Sequence, residues 1–467
     1  MSPETEFRTG LSLLDAILLV VGIMIGSGIF LVSADISRLM GSPGGLLLVW
    51  LATGIITLFG ALSYGELAAA MPRAGGQYVF LREGLGSITG FLYGWTLFLV
   101  IQTGTIAAVA VAFATFLGVF LPSVSPEVFL SFGTIPMPGG RIELGLSAQR
   151  IVAIAVIALL TWVNMRGLRA GKIVQNTFTV AKTFALLGLI VLGITVGRNV
   201  DAMSMNFSGM FEGMPSGSAL VLAFGAAMVG SLFSSDAWNN VTFAAAEVKR
   251  PERNLPLALA IGTGTVTILY LLANLAYLMV LTLPEIQNAP QDRVGTLAAE
   301  AIFGGPGMYI MAVAILISTF GCINGLILAG ARVFYAMAKD RLFFARAGHL
   351  SSKTHVPAWG LAAQGIWTAL LTLTGTYLQL LNYVIFAALI FYVLTTVSLF
   401  VLRVKRPEMP RPYKAFGYPV VPAIYLLSAL SIALILLVAN PVYSFSGLFL
   451  VLLGLPVYFL WQRTATT

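Results

Sequence analysis

Charged residues are scarce in this chain of 467 residues, since Lys, Arg, Asp and Glu together make up only 9% of it. A soluble domain has about 25% charged residues, so this sequence cannot cover a core with a water-facing surface. Hydrophobic residues make up 58% of the chain, and apolar runs of about 18 residues or more recur along its whole length. The sequence therefore predicts an all-α polytopic membrane protein.

Cysteine and histidine are also nearly absent. The single cysteine, Cys322, excludes an intramolecular disulfide and argues against a metal cluster. The two histidines, His349 and His355, lie in a polar connection, and the sequence shows no nucleophile–base arrangement, so we predict neither an enzyme nor a bound cofactor or metal. Residues 167–173 do not make a P-loop, because their glycines are one residue too close and no Ser or Thr follows Lys172.

The apolar runs predict about twelve membrane spans. The first is a retained span rather than a signal peptide, because no small-residue cleavage site follows it. Three segments, 86–121, 217–247 and 306–337, exceed the ~20 residues that cross a bilayer, so we expect them to be tilted, broken or projecting. The predicted spans are 13–37, 44–70, 86–121, 148–165, 173–196, 217–247, 256–282, 306–337, 357–376, 381–402, 418–438 and 443–462.

The basic residues predict the orientation of the chain. Lys and Arg outnumber Asp and Glu by 26 to 18, and nineteen of these 26 fall in the terminal segments and in the connections on the side of the N-terminus. This distribution follows the positive-inside rule. It predicts a cell (inner) membrane protein with both termini cytoplasmic, and it explains the basic excess without a nucleic acid partner.

Residues 22–30, GIMIGSGIF, place Gly26-Ser27-Gly28 in the middle of the first span, where glycine weakens a helix. If the helix unwinds there, free amides at the positive end of the following half-helix suit a carboxylate. The alternative is close helix packing, because Gly22 and Gly26 form a GxxxG motif. This segment alone does not distinguish the two interpretations.

The sixth span is interrupted by residues 233–239, FSSDAWN. Its carboxylate, Asp236, is costly in the membrane unless it faces a cavity or a partner. We predict a single domain that consists of two five-span repeats, 13–196 and 217–402, and two extra helices at 418–462. The first and sixth spans occupy corresponding positions in the two repeats. Broken helices at matching positions indicate the central site of a transporter. The amides of the first break suit the carboxylate of a substrate, and the unwound carbonyls of the second break suit its ammonium group. A zwitterion fits the pair of breaks, so the sequence predicts amino acid transport.

Lys182 stands about nine residues into the fifth span, too deep for easy snorkelling. A cation fixed there can do the work of a bound sodium ion by holding carbonyls of the first helix. The alternative is a structural pair with Asp236 or Glu66. We expect Glu66 and Glu247 to brace helices at the cytoplasmic side, and Arg332 in the eighth span to reach the inner interface.

GIMIGSGIF resembles the unwound first helix of the amino acid–polyamine–organocation (APC) superfamily. Residues 64–86, 233–256 and 318–340 narrow the resemblance to a bacterial-type member of the L-type amino acid transporter (LAT) family, and the similarity covers essentially the whole chain. It implies a LeuT-type fold of ten core helices in a 5+5 inverted repeat, with helices 1 and 6 broken and two helices added. It also implies sodium-independent exchange of L-amino acids by alternating access.

The resemblance also implies roles for individual residues. The amides of Ser27, Gly28 and Ile29 would bind the substrate carboxylate. The carbonyls of Phe233, Ser234 and Asp236 would receive the amino group, the Phe233 ring would gate the site, and Lys182 would replace a sodium ion. The expected binding residues are Gly26, Ser27, Gly28, Ile29, Phe233, Ser234, Ser235, Asp236, Ala237 and Trp238, with Thr103, Asn239 and Asn324 in support.

Some positions depart from the family or leave alternatives open. Thr103 stands where many members have proline, and residues 122–150 lack the cysteine that joins animal members to a heavy subunit, so we expect no disulfide-linked partner. Small residues at the second break favour small or medium neutral substrates, whereas Asp236 keeps a cationic amino acid carrier open. Sodium- or proton-coupled symport through Ser318 and Thr319 is the other alternative, which repulsion from Lys182 opposes.

Overall fold

The computed structural model describes residues 7–137, 140–374 and 377–465. In these ranges ten helical segments are long and apolar enough to cross a membrane, and a bent pair at the N-terminus makes eleven. The helices are α1 (Leu13–Met24), α2 (Gly28–Met40), α3 (Pro43–Ala70), α4 (Gln77–Leu85), α5 (Ser87–Leu117), α6 (Ala148–Met165), α7 (Leu168–Thr195), α8 (Val200–Ser208), α9 (Gly217–Ser234), α10 (Pro251–Val280), α11 (Leu283–Gln287), α12 (Val294–Phe303), α13 (Gly305–Lys339), α14 (Ala358–Thr372), α15 (Tyr377–Lys405), α16 (Val420–Ala439) and α17 (Pro441–Ala465).

The predicted spans correspond to these helices with one qualification. The segment 357–376 contains α14, which has 15 residues and is about 22 Å long at 1.5 Å per residue. It is therefore shorter than the other predicted spans. The all-helical membrane fold is confirmed, with eleven candidate spans in the described residues instead of about twelve.

The three overlong segments behave differently from one another. The segment 217–247 is broken, because α9 ends at Ser234 and a 3₁₀ helix follows from Trp238 to Glu247. Within α5, residues Leu97–Ile101 form a π-helical turn, a feature that often occurs at functional sites. In contrast, α13 continues unbroken for 35 residues, so it accommodates its length by tilting or projecting.

The first span breaks where the glycines predict it. A capping box of Ser12 and Asp15 begins α1, and the helix ends at Met24. Ile25 leaves the helical region with ψ 86°, and α2 starts again at Gly28 with its axis bent by 43°. The break therefore comprises residues 25–27, in the middle of the predicted span.

The connection 122–147 contains an element that the sequence analysis missed. Strands β1 (Val128–Met137) and β2 (Gly140–Ser147) form an antiparallel hairpin in this connection between two predicted spans. Apolar and aromatic residues such as Phe129, Leu130 and Phe132 favour strands. The membrane part is thus all-helical, whereas this connection is not.

The two ends of the described chain lie on the same face. The ring of Phe7 packs 4.8 Å from that of Tyr335 near the end of α13, and Trp461 near the end of α17 packs 5.1 Å from Phe344 just after α13. We call this the terminal face. The opposite face, which carries the hairpin and Arg38 at the end of α2, is called the distal face.

Buried ion pairs join helices near the terminal face. Glu66 pairs with Arg403 and Arg411, as expected for a bracing carboxylate. The prediction that Arg332 reaches the inner interface is wrong. Its side chain is only 1% exposed, and its guanidinium group binds both carboxylate oxygens of Glu247 at 3.0 and 3.1 Å. Pairing inside the protein offsets the cost of burying either charge.

Candidate functional site

The two helix breaks face each other in the centre of the molecule. A Cβ added to Gly28 would stand 2.0 Å from Oγ of Ser234, so the start of α2 packs directly on the end of α9. A cavity of about 20 Å³ lies between them, and it is lined by Gly26, Ser27, Gly28, Phe233, Asp236 and Ala237. The structure thus brings the predicted residues of both breaks together.

The first break presents backbone amides to this cavity. The first N–H groups of a helix have no intrahelical acceptor, and Gly28 and Ile29 are the first two residues of α2. Ser27 precedes them and gives no side-chain cap. These amides stand at the positive end of the α2 dipole, so the arrangement suits an anionic group such as a carboxylate.

The two interpretations of the glycines apply to different residues. A Cβ on Gly22 would stand 2.0 Å from Oγ1 of Thr179 in α7, so Gly22 permits close helix packing. Gly26 and Gly28 line the cavity, and Gly26 also lies beside Cys322, whose sulfur would be 3.3 Å from an added Cβ. Packing and cavity formation therefore use different parts of one motif.

Lys182 holds the carbonyls of the broken first helix. Its Nζ donates hydrogen bonds to the carbonyl oxygens of Gly22 at 2.5 Å, Ile25 at 2.7 Å and Ser318 at 3.0 Å. The side chain is 1% exposed. It does not form the alternative pair with Asp236 or Glu66. Lys182 thus joins the end of α1 to α13 through its ammonium group.

Tyr270 is a residue of this site that the sequence analysis missed. Its hydroxyl lies 2.8 Å from the carbonyl oxygen of Met24 and 3.0 Å from that of Ser234, which are the last residues of α1 and α9. One side chain from α10 therefore joins both breaks. The available signal was a tyrosine inside an apolar span, since a buried tyrosine hydroxyl usually requires a partner.

The second break begins after Ser234. Ser235 and Asp236 leave the helix, and Ala237 has a left-handed backbone with φ 60°. The amide of Asp236 donates to the carbonyl of Phe233 at 3.2 Å, while the carbonyl of Ser234 accepts from Tyr270. A carbonyl oxygen has two lone pairs, so the carbonyl of Ser234, which accepts from Tyr270, can accept a second hydrogen bond.

The carboxylate of Asp236 contacts α15, because the hydroxyl of Tyr392 donates to its Oδ1. Tyr392 packs edge-on against Tyr64 and lies 5.8 Å from the ring of Trp238. Ser235 and Trp238 line a separate cavity beside this aromatic cluster. Sequence periodicity did not identify Tyr392, because its contact with Asp236 joins residues 156 positions apart.

The comparisons with known proteins identify the family. The sequence model of amino acid permeases matches residues 11–459. The chain belongs to the amino acid permease family. It is 33% identical to the large neutral amino acids transporter small subunit 2 of Mus musculus, over 99% of this chain and 85% of that protein. It is 30% identical to the b(0,+)-type amino acid transporter 1 of Mus musculus, over 98% and 88%.

These similarities confirm the predicted resemblance to the L-type amino acid transporters. The human large neutral amino acids transporter small subunit 2 is also 33% identical, over 97% of this chain and 81% of that protein. The chain is therefore a multi-pass membrane transporter of amino acids and not an enzyme.

The three predicted supporting residues lie at different distances from the breaks. In the transporter, Asn239 lines a cavity below the second break and donates to Oε1 of Gln77 at 2.6 Å. Thr103 donates to the carbonyl of Phe98 within α5, and the neighbouring Thr105 lines the central cavity instead. Asn324 donates to the carbonyl of Gly171 at 2.9 Å, so it joins α13 to α7.

Polar contacts join helix ends of the transporter at its terminal face. Asp340 accepts hydrogen bonds from the side chains of Tyr78 and Arg82 in α4. Glu83 bonds Arg82 at 2.8 Å and Arg406 at 2.9 Å. Burial alone would raise the pKa of Glu83, but hydrogen bonds from the two guanidinium groups outweigh it and lower the pKa from its usual value. This network joins α4 to the ends of α13 and α15.

Proposed function

We propose that the protein exchanges L-amino acids across the cell (inner) membrane by alternating access, without sodium. The observation that carries this proposal is the hydrogen bonding of Lys182 to the carbonyls of Gly22 and Ile25. A lysine cannot leave with the substrate, so no sodium gradient acts through this position. We infer that a second amino acid, which travels in the opposite direction, drives transport instead.

The substrate would bind through its two charged ends. The carboxylate accepts hydrogen bonds from the amides of Ser27, Gly28 and Ile29, and the ammonium group donates to the carbonyls of Phe233, Ser234 and Asp236. The burial of Phe233 beside the central cavity supports its role as the gate. Movement of the two five-span repeats would then give alternating access, and the positive-inside rule supports cytoplasmic termini.

We propose small or medium neutral amino acids as substrates. The central cavity measures only about 20 Å³ in this conformation, and small residues such as Gly26, Ser27 and Ala237 form part of its lining. The relatives named above are transporters of large neutral amino acids and of the b(0,+) type, so a cationic substrate is the alternative. We also propose that the protein acts without a disulfide-linked heavy subunit.

Sodium-coupled symport is the second candidate, because Ser318 and Thr319 offer hydroxyl groups near the first break. Ser318 Oγ already donates to the carbonyls of Ile25 and Gly26, at 3.0 and 3.2 Å, and Thr319 donates to Ile315 at 2.8 Å. The Lys182 ammonium group lies 3.0 Å from the Ser318 carbonyl. A second cation there would be strongly repelled at low dielectric.

Counterflow in proteoliposomes tests exchange. Uptake of labelled serine in sodium-free buffer should rise at least about tenfold when the liposomes contain unlabelled serine. The transporter can then bind unlabelled serine inside and return to the outward-facing conformation with it. Liposomes without protein give the background. Uptake into empty liposomes that follows an imposed sodium or proton gradient would contradict exchange and support symport.

Asp236→Asn tests whether Asp236 contributes to selectivity between cationic and neutral substrate side chains. Because its carboxylate already accepts a hydrogen bond from Tyr392, we expect the ratio of arginine to serine uptake to stay within about twofold of wild type. The exposed Asp201→Asn, which removes the same charge outside the site, is the matched control. A large fall in the ratio would instead support the cationic alternative.

A further inference from the structure

A large cavity at the distal face lies outside the two breaks. Its volume is about 620 Å³, against about 20 Å³ for the central cavity. It extends from the connection before the hairpin down to Leu31 and Val32, which follow Gly28 by only three and four residues in α2. The deepest lining residues of this cavity therefore lie about one helical turn from the first break.

The charges around this cavity are unequally paired. Asp35 and Asp292 line it, and both bind the single guanidinium group of Arg38, at 3.4 and 2.8 Å. These three residues together carry one net negative charge. Arg293 lines the same cavity, and its guanidinium group forms no hydrogen bond or ion pair with the part of the chain that the structure describes. One anionic group and one unpaired cation therefore border a single cavity.

The segment that supplies Asp292 and Arg293 has an unusual backbone. Gln291 and Asp292 are consecutive non-glycine residues with positive φ, 53° and 60°, a conformation that persists only where the surroundings fix it. Arg38 helps to fix it by donating to the carbonyl of Gln287 at 2.7 Å. Arg293 is thereby held half-buried, and burial without a counter-ion lowers the pKa of its guanidinium group.

We propose that this distal cavity is a second binding site for a zwitterionic amino acid. The substrate carboxylate pairs with Arg293, and the ammonium group lies beside Asp35 and Asp292. Gln149, which donates to Thr115 at 2.7 Å, lines the same cavity and offers a further polar contact. Each substrate end then neutralises the charge that the protein leaves unpaired. This inference rests on the proposed function and extends it, because it adds a site that binds the substrate on the distal side before the central site does.

Arginine at position 293 suits this role because its planar guanidinium group binds a carboxylate through two parallel hydrogen bonds. An arginine needed only for solubility would extend into water, whereas Arg293 is half-buried against the cavity. Side-chain recognition is not required here, so the second site should bind neutral amino acids with little discrimination. The central site selects among them afterwards.

Arg293→Gln tests the proposal through its sidedness. In membrane vesicles of one orientation, the KM for substrate on the distal side should rise about tenfold, as expected for the loss of a charge-assisted pair. The KM for substrate on the terminal side should stay unchanged, because that substrate reaches the breaks without meeting Arg293. Arg293→Lys, which keeps the charge but not the two parallel hydrogen bonds, should give a distal KM between those of wild type and Arg293→Gln.

Arg198→Gln is the matched control, since Arg198 is exposed near the distal end of α7 and does not line the cavity. An unchanged distal KM in Arg293→Gln, with normal counterflow, would overturn the second site and leave exchange intact. Failure of counterflow in the wild-type protein would instead overturn the proposed function. Equal rises in KM on both sides would also contradict the second site, because they indicate a general defect.

Equilibrium binding provides a readout that does not depend on transport. The purified full-length protein should bind two molecules of labelled serine per chain. Gly28→Leu should retain only the distal molecule, and Arg293→Gln only the central one. A wild-type stoichiometry of one, abolished by Gly28→Leu, would overturn the proposal.

Discussion

Lys182→Ala is expected to slow amino acid exchange about 100-fold or more. The ammonium group of Lys182 donates to three carbonyls, those of Gly22, Ile25 and Ser318, and a hydrogen bond to a charged group contributes about 1.5–3 kcal/mol. Loss of even one such bond corresponds to a factor of about 10 to 100. Alanine would leave all three carbonyls without this donor in a site that excludes water, where an unpaired polar group is costly.

The physical consequence concerns the first break more than the global fold. Gly22 and Ile25 lie on either side of the end of α1, so their carbonyls determine how the chain leaves the helix. Without the ammonium group, the break loses the contacts that join it to α7 and α13. The amides of α2 then no longer hold their position opposite the second break, and substrate binding weakens.

The measurement for Lys182→Ala is the initial rate of counterflow, corrected for the amount of reconstituted protein. Lys353→Ala removes an exposed lysine in a connection and should retain the wild-type rate. A sodium titration adds a second readout, because a sodium ion in the vacated position should partly restore Lys182→Ala and leave the wild type unaffected. Wild-type rates in Lys182→Ala would contradict the role of this lysine.

Gly28→Leu is expected to abolish substrate binding at the central site. A Cβ at Gly28 would lie 2.0 Å from Oγ of Ser234 and 3.0 Å from its Cα, closer than real Cβ atoms approach. The larger leucine side chain must therefore enter the cavity between the breaks or push them apart. In either case it occupies the position that we assign to the substrate carboxylate.

Gly188→Leu is the matched control for Gly28→Leu. Gly188 lies in α7, where an added Cβ would meet no atom within 4 Å, so the same substitution meets no obstacle. Competition of unlabelled serine against labelled serine during distal uptake gives the affinity for the transported molecule. We expect no measurable uptake for Gly28→Leu and wild-type affinity for Gly188→Leu. Intact affinity in Gly28→Leu would disprove the amide binding site.

The sequence predicted the features that depend on local composition. Length and hydropathy identified the membrane helices, and glycines and serines at residues 26–28 and 233–237 identified both breaks. The depth of Lys182 led to the expectation that it holds carbonyls of the first helix, and its ammonium group donates to those of Gly22 and Ile25. The comparisons confirm the family and its class of function. The binding role of each residue and the two repeats stay predictions.

The features that the sequence analysis missed depend on contacts between distant segments. Tyr270 lies 246 positions from Met24, and no periodicity within α10 indicates where its hydroxyl points. Arg332 was expected at the inner interface because long basic side chains often snorkel, but its partner Glu247 lies in another segment. Such pairings become visible only when the helices are packed together.

Competition by substrate analogues tests most directly the claim that each broken helix binds one charged end of an amino acid. Alanine, alaninamide and lactate compete with labelled serine in counterflow; alaninamide lacks the carboxylate, and lactate lacks the ammonium group. We predict that alanine competes and that both analogues are at least about 100-fold weaker, since each loses charge-assisted hydrogen bonds. Inhibition by alaninamide or lactate that equals inhibition by alanine would contradict the account.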